Sequence, residues 1–372
     1  MGGFVNSHSH VFQRALRGRA ERAGQSREDF WSWRNAMYAL VEALDPETLQ
    51  AIATYTYAEM LAAGYTRVKE FHYLHHQRGG TPYADVHELS LRLVAAAEAA
   101  GIDLELLRVA YPNVTEPAQS RFADPSVDVA IARTADLASR VDVPVGIAPH
   151  SVRAVSLDGF VACARWASEA GSECHAHVAE QPKEVAWAEA TLGRRPLAAL
   201  ADRDVLSPSF VGVHLTHLDA AEIAACGVAA LTACICPTTE ANLGDGVPQT
   251  RELLEAGVRL AIGSDSQAEI DPFLELRLLE YNERNRWRQR QVLDPPALLA
   301  AACEPVVPGQ PARLIELDLL HPTLIGVGAE HLASAVVMAG RPDCVRAAWF
   351  GATRRESRPD PQPFLQVLAR VF

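Results

Sequence analysis

The sequence predicts an α/β protein: a (β/α)8 TIM-like barrel of parallel strands with a reduced small β appendage. Three observations carry this. Short apolar, strand-like runs alternate with longer segments of helical periodicity. Eight such runs occur before residue 266, and eight strand–helix units close a parallel barrel with an outer ring of helices. The polar residues able to do chemistry fall where those runs end, which is where this architecture gathers its reactive groups. At 372 residues the chain is long enough for one barrel-sized domain and a small addition. The expected division is residues 1–307 for the barrel and 308–372 for the appendage.

The runs are Phe4–His10, Tyr65–Phe71, Asp103–Tyr111, Val143–His150, Glu173–Glu180, Phe210–His217, Ala229–Pro237 and Arg259–Asp265. Between them, Pro46–Ala63 reads as a helix, with proline at its start, apolar residues at three- and four-residue steps and Gly64 just past its end. Tyr83–Ala100 stops at Gly101 and Leu157–Ala170 at Gly171 in the same way. Asp271–Gln291 is a charged helix whose basic end, Arg284 to Arg290, reads as a solvated face. After Pro308 the pattern changes: Ala312–Leu319, Ala333–Met338 and Val345–Phe350 read as short β runs, and Phe364–Phe372 as a closing helix.

Hydrophobic residues make up 49% and charged residues 22%, the balance of a folded globular chain. A formal net charge of −12 argues against general affinity for nucleic acid or anionic membrane, though local arginines can still bind a small anion. No apolar run is long enough to span a bilayer, and the chain opens on no secretion signal. Met1-Gly2 is not followed by the Ser or Thr that myristoylation needs, since position 6 is Asn6. The seven cysteines are scattered and mostly within apolar stretches, as reduced core residues of a cytoplasmic protein are. Cys234 and Cys236 read as buried strand residues rather than a metal pair. Asn113-Val114-Thr115 has the glycosylation pattern but no secretion context.

The chemistry starts at His8-Ser9-His10. Residues two apart on a strand face the same way, so both imidazoles can aim at one point. Alone, such a pair is also common on ordinary polar faces. With His177 and Asp265 it becomes three imidazoles and a carboxylate at the ends of the first, fifth and eighth strands, a set that suits Zn²⁺ and leaves room for water. Fe²⁺, Mn²⁺ or Ni²⁺ also accept these ligands. Asp265 can take the water proton as well as bind the ion. Glu180, three residues past His177, is placed to pass a proton to a leaving nitrogen, and His214 to hold the water and hydrogen-bond the atom under attack. Rivals exist. His175 shares a face with His177, His217 follows His214, and Ser264-Asp265-Ser266 also looks like a helix cap.

The motifs resemble the amidohydrolase superfamily and, within it, the formiminoglutamate deiminases. They are His8–Ala15, Phe30–Arg34, Glu70–His76, Pro149–Val155, His177–Gln181, Val213–His217, Thr239–Gly246 and Gly263–Ser266, covering the chain to about Arg284. The resemblance implies hydrolysis of a formimino C=N bond, giving N-formylglutamate and ammonia, in a cytoplasmic homodimer. It implies one zinc on His8, His10, His177 and Asp265, and a small, anionic, amino-acid-derived substrate held by Gln13, Arg34, Tyr73, His150 and Arg153. The last set suits such a substrate, because guanidinium groups pair with carboxylates in a two-pronged fork.

Two departures from the family pattern stand out. The family has a segment before the first strand that builds part of a small β domain, so the appendage here is expected to be incomplete. After Asp265 the family continues Ser-His, whereas this chain has Ser266-Gln267. Two other readings stand beside the main one: the same chemistry on a different formimino or amidino acid, and a non-catalytic relative.

Overall fold

The computed structural model describes residues 1–20 and 30–372. Eight strands follow in chain order: β1 (Phe4–Ser9), β2 (Tyr65–His72), β3 (Asp103–Ala110), β4 (Val145–Pro149), β5 (Cys174–Val178), β6 (Phe210–His214), β7 (Thr232–Ile235) and β8 (Arg259–Ile262). Each pairs in parallel with the next. All eight fall on the expected runs. The circle closes at its C-terminal rim, where His10 N–H donates to Asp265 O and Asp265 N–H to His8 O, both at 3.0 Å. The backbone joint that shuts the barrel is therefore made by residues expected to hold a metal.

β4, β5 and β6 are buried along their whole length, as strands covered on both faces must be. Helix Pro46–Ala62 begins on Pro46, capped by Asp45, whose side chain accepts from Thr48 N. Helix Leu157–Ala170 matches its expected span and ends on left-handed Gly171. Helix Glu88–Ala100 starts later than expected, because Tyr83–His87 forms turns before it.

Helix Pro272–Trp287 keeps its basic end towards solvent but buries its glutamates: Glu275, Glu280 and Glu283 are fully buried. Glu275 accepts from Thr238 N, Glu280 from Leu293 N and Glu283 from Thr250 N, so this charged helix ties three neighbouring segments to the barrel. At its basic end Arg284 and Arg286 pair with Glu280 and Glu283 on the same helix.

Beyond the barrel lies a small antiparallel sheet of β9 (Arg313–Leu317), β10 (Val345–Phe350) and β11 (Thr353–Arg355), in the order β11-β10-β9. Ala333–Met338, expected as a strand, lies within a helix, Leu332–Ala339, packed against helices Pro272–Trp287 and Pro295–Ala302. A short continuous apolar run carries no periodicity that separates strand from helix. β11 escaped notice because Thr353-Arg354-Arg355 has no apolar residue. Met1–Gly3 runs along the free edge of β9, with Gly3 N–H donating to Arg313 O at 2.9 Å and Ile315 N–H to Met1 O at 3.0 Å. The closing helix, Pro361–Val371, stacks Phe364 on Tyr55 with ring centres 4.4 Å apart.

All seven cysteines are free thiols. Cys234 and Cys236 pack with Val211, Val213 and Ala261 in an apolar cluster. Among the described residues no helix is long and apolar enough to cross a membrane.

Candidate active site

His8 on β1, His10 just past it, His177 on β5 and Asp265 after β8 converge at the C-terminal mouth of the barrel. Their facing atoms are evenly spaced. His177 Nε2 is 3.1 Å from His8 Nε2 and 3.4 Å from His10 Nε2, and Asp265 Oδ1 is 3.3 Å from Nε2 of both His8 and His10. Tautomers follow from the outer ring nitrogens. His10 Nδ1 lies 2.9 Å from Phe71 O and His177 Nδ1 3.2 Å from His150 O. A carbonyl only accepts, so both Nδ1 atoms carry the proton and both Nε2 atoms turn bare lone pairs inward. Lone pairs and a carboxylate facing one another repel unless a cation sits among them. An ion with bonds of about 2.0–2.1 Å to each donor places neighbouring ligands roughly 3–3.5 Å apart. The four residues thus fit a divalent metal ion on donor type, tautomer and spacing.

Electrostatics agree. Burial drives His8 down to about 3 and lowers His10 and His177, so all three are neutral ligands at neutral pH. Burial acts to raise Asp265, but its hydrogen bond with His8 and the surrounding imidazoles outweigh that and hold it below the usual carboxylate range.

Left-handed backbone concentrates here. Ala179, His214, Leu215, Asp265 and Gln267, none of them glycine, all have positive φ. Such conformations turn side chains out of the strand direction towards the barrel axis. Asp265 is no helix cap: the next helix begins at Pro272 and Asp271 caps it. The rival histidines also part company. His175 sits one layer deeper, bonded to Glu173 at 2.8 Å, and Lys69 also pairs with Glu173. His217 is spent on Asp245 O at 2.8 Å.

Glu180 and His214 complete the centre. His214 Nε2 lies 3.7 Å from Glu180 Oε1 and 3.8 Å from Asp265 Oδ2. Burial pushes the Glu180 carboxyl up to about 7. Burial opposes protonation of His214, but Glu180, Glu240 and Asp265 prevail and raise it well above its ordinary value.

Gln13, Arg34, Tyr73, His150 and Arg153 all line one cavity, and His10, His177 and Asp265 of the metal site form part of its wall. Gln13 Nε2 donates to Tyr73 Oη at 2.8 Å, while Gln13 Oε1 and Arg153 Nε are buried without a hydrogen-bond partner. Buried polar atoms in that state mark where a ligand's polar groups belong. Arg34 is half-buried, 3.5 Å from Glu116 and near the Tyr38 ring.

Three residues that shape the site carried no expected role. Glu240 Oε1 lies 3.3 Å from His214 Nδ1. Gln267 is fully buried and donates to Ser9 Oγ at 2.9 Å and Asp265 O at 3.0 Å, while Ser264 Oγ donates to its side chain at 2.8 Å. Glu70 turns away from the cavity and accepts from Ser9 Oγ at 2.6 Å and Val11 N at 2.8 Å, on either side of His10. Gln267 stood out in the sequence as a departure from the family pattern, and Glu240 lay within a quoted motif.

Known proteins share this arrangement of chain. The sequence profile of the amidohydrolase family matches residues 1–305. A formimidoylglutamate deiminase from Pseudomonas aeruginosa is 40% identical over 410 aligned positions, covering 100% of this chain and 89% of that protein. The similarity therefore continues past Arg284, where the motifs stop. An amidohydrolase of solved structure from Brucella melitensis superposes with a TM-score of 0.91 at 33% identity, covering 100% of this chain and 89% of that one. An adenosine deaminase from Xanthomonas campestris, solved with bound zinc, superposes with a TM-score of 0.84 at 24% identity, covering 100% and 84%, a likeness of fold.

Proposed function

This chain belongs to the amidohydrolase family, and from that premise we propose that it is a zinc-dependent deiminase converting N-formimino-L-glutamate to N-formyl-L-glutamate and ammonia. The observation that carries the reading is the shared cavity: three of the four metal-type ligands, His10, His177 and Asp265, line it together with two arginines. The substrate has the matching layout, an amidine carbon to be attacked and two carboxylates to be held.

When bound on His8, His10, His177 and Asp265, such an ion acidifies water and makes a strong nucleophile available near neutral pH. The rest falls to the chain's own groups. Arg34 and Arg153 each hold a substrate carboxylate by charge-assisted hydrogen bonds, and Gln13, Tyr73 and His150 set the angle of the formimino group. Asp265 takes up the proton of the attacking water, and His214 orients that water. Glu180 delivers a proton to the departing nitrogen, so that a C–O bond forms, the C–N bond breaks and ammonia leaves. The free cysteines suit a reducing compartment, and we place the reaction in the cytoplasm.

The test is ammonia release from metal-analysed protein offered N-formimino-L-glutamate, N-formimino-L-aspartate, N-formiminoglycine and guanidino acids. Strong preference for the first is expected, with loss of turnover in folded His177→Ala and Asp265→Ala. Equal turnover of the shorter or guanidino acids overturns the substrate, and undiminished ammonia release by Asp265→Ala overturns the mechanism.

A further inference from the structure

Far along the chain from the barrel-mouth ligands, the small sheet carries its own set of mixed donors. His321 and Thr323 lie in the turn after β9, and Asp343 and Cys344 immediately precede β10. Three atoms form a compact triangle: Cys344 Sγ is 3.3 Å from His321 Nδ1 and 3.2 Å from Thr323 Oγ1, and Thr323 Oγ1 is 2.9 Å from His321 Nδ1. Thr323 N–H also points at His321 Nδ1, at 3.3 Å, so that nitrogen carries a lone pair rather than a proton. Asp343 Oδ2 is 3.4 Å from the other ring nitrogen, and its side chain is 68% exposed and free to turn. Ligand atoms of His321, Asp343 and Cys344 all lie within 4.8 Å of one another.

We propose that His321, Asp343 and Cys344, with the Thr323 hydroxyl beside them, form a second metal site for zinc or another thiophilic first-row divalent ion. Thiolate, imidazole and carboxylate together are the donors such ions select. Magnesium and calcium, which take oxygen ligands, are excluded by the thiol. In the metal-free chain the same short contacts are hydrogen bonds. Binding releases the thiol proton to solvent and replaces the S–H bond to His321 with bonds to the ion.

Position gives the site its role. Asp318 N–H already donates to Cys344 O at 2.7 Å, and Arg346 pairs with Asp318 at 2.8 Å, so the turn is held against the head of β10. An ion there cross-links that turn to β10 across helix Leu332–Ala339 and stiffens the appendage. Cys344 is fully buried, and the ion reaches it from the side of exposed Asp343. The site shares no residue with the barrel mouth, so it is independent of the reaction proposed above.

The experiment is cobalt loading of chelator-stripped, full-length protein. The barrel-mouth ligands contain no sulfur, so a near-ultraviolet cobalt–thiolate charge-transfer band reports a thiolate site apart from them, and Cys344→Ser shows which. Two equivalents of Co²⁺ per chain and that band are expected. Cys344→Ser abolishes the band and one equivalent, leaving ammonia release unchanged. Asp343→Asn, on an exposed side chain that does not endanger folding, raises the metal concentration needed for half the band about tenfold or more. A single equivalent with no thiolate band overturns the proposal. So does a band that survives Cys344→Ser, which assigns the thiolate to Cys236 beside His214 and Glu240.

Discussion

Glu240 offers the sharpest test of how the candidate active site is held. It is 1% exposed, and its Oε1 accepts from Cys236 N at 2.9 Å and lies 3.3 Å from His214 Nδ1. The opposite nitrogen of that ring is the one that faces Glu180 and Asp265. Glu240 touches neither cavity nor ligand set in its proposed role; it is a positioning residue that fixes which edge of His214 faces the chemistry. A hydrogen bond to a charged group contributes about 1.5–3 kcal/mol. With about 1.4 kcal/mol per factor of ten, its loss in Glu240→Ala lowers kcat about 10- to 150-fold. Glu240→Gln keeps an acceptor oxygen and a neutral bond of about 0.5–1.5 kcal/mol, so it recovers about a third to a half of that free energy. The assay is steady-state ammonia release from N-formimino-L-glutamate, with metal content measured in parallel. Because the carboxylate-binding wall is untouched, KM stays within about twofold while kcat falls. A general loss of folding moves both constants and the metal content together and is not relieved by glutamine. A metal-replete Glu240→Ala enzyme whose kcat stays within about twofold of wild type refutes the reasoning.

Three other outcomes are expected. Arg153→Met removes a buried guanidinium from the cavity wall, and Arg34→Ala a half-buried one; both raise KM, by about 10- to 150-fold for a lost charge-assisted pair, and Arg34 loses less because Glu116 already neutralises it. An unchanged KM in either removes that arginine from substrate binding. Gln267→Ala breaks the bonds to Ser9, Asp265 and Ser264 and leaves a void, lowering unfolding free energy in urea by about 2–4 kcal/mol. Apo-protein metal affinity in a chelator competition falls with it, and unaltered affinity shows that Gln267 supports the fold and not the ligands. At the surface, the hydrogen bonds from Arg140 and from His87 N hold Asp85 down to about 2 from an ordinary 3.8. A carboxyl lowered in the folded state stabilises above its unfolded value and loses that contribution as pH falls through its folded one. The gap in urea midpoint between wild type and Arg140→Ala is therefore full above about pH 4 and narrows towards pH 2; a gap that does not vary with pH assigns the effect elsewhere.

What was legible in the sequence follows from periodicity and chemistry of the local kind. Each barrel strand is an apolar run, six of the eight runs end on a polar residue, and helix Leu157–Ala170 is bracketed by Ser156 and Gly171, so eight strands and the chemistry-bearing ends could be read in order. The His-x-His pair pointed to a metal only together with His177 and Asp265, through donor type and strand alternation. Where local rules are degenerate, the sequence fell silent. A period of two puts His175 and His177 on one face, and only depth along the barrel decides that one meets Glu173 and the other His8 and His10. Leu332–Ala339 is apolar but for Ser334 and carries no helical period, and only the helices packed on it make it a helix. The burial of the glutamates of Pro272–Trp287 was not legible because their partners are backbone amides of distant segments.

The same limit governs the site. Residue type and spacing picked out four imidazoles, His8, His10, His177 and His214, and two carboxylates, Glu180 and Asp265, and the family resemblance added the two arginines. Tertiary structure alone decided their tautomers, through Phe71 O and His150 O, and their orientation, through Glu240, Glu70 and Gln267. Gln267 lies 258 residues from the serine it holds, and that contact exists only because closing the barrel lays the Asp265 turn against β1. Which donors a chain carries is a property of its residues, but where their lone pairs point is set by hydrogen bonds that only the closed fold brings within reach.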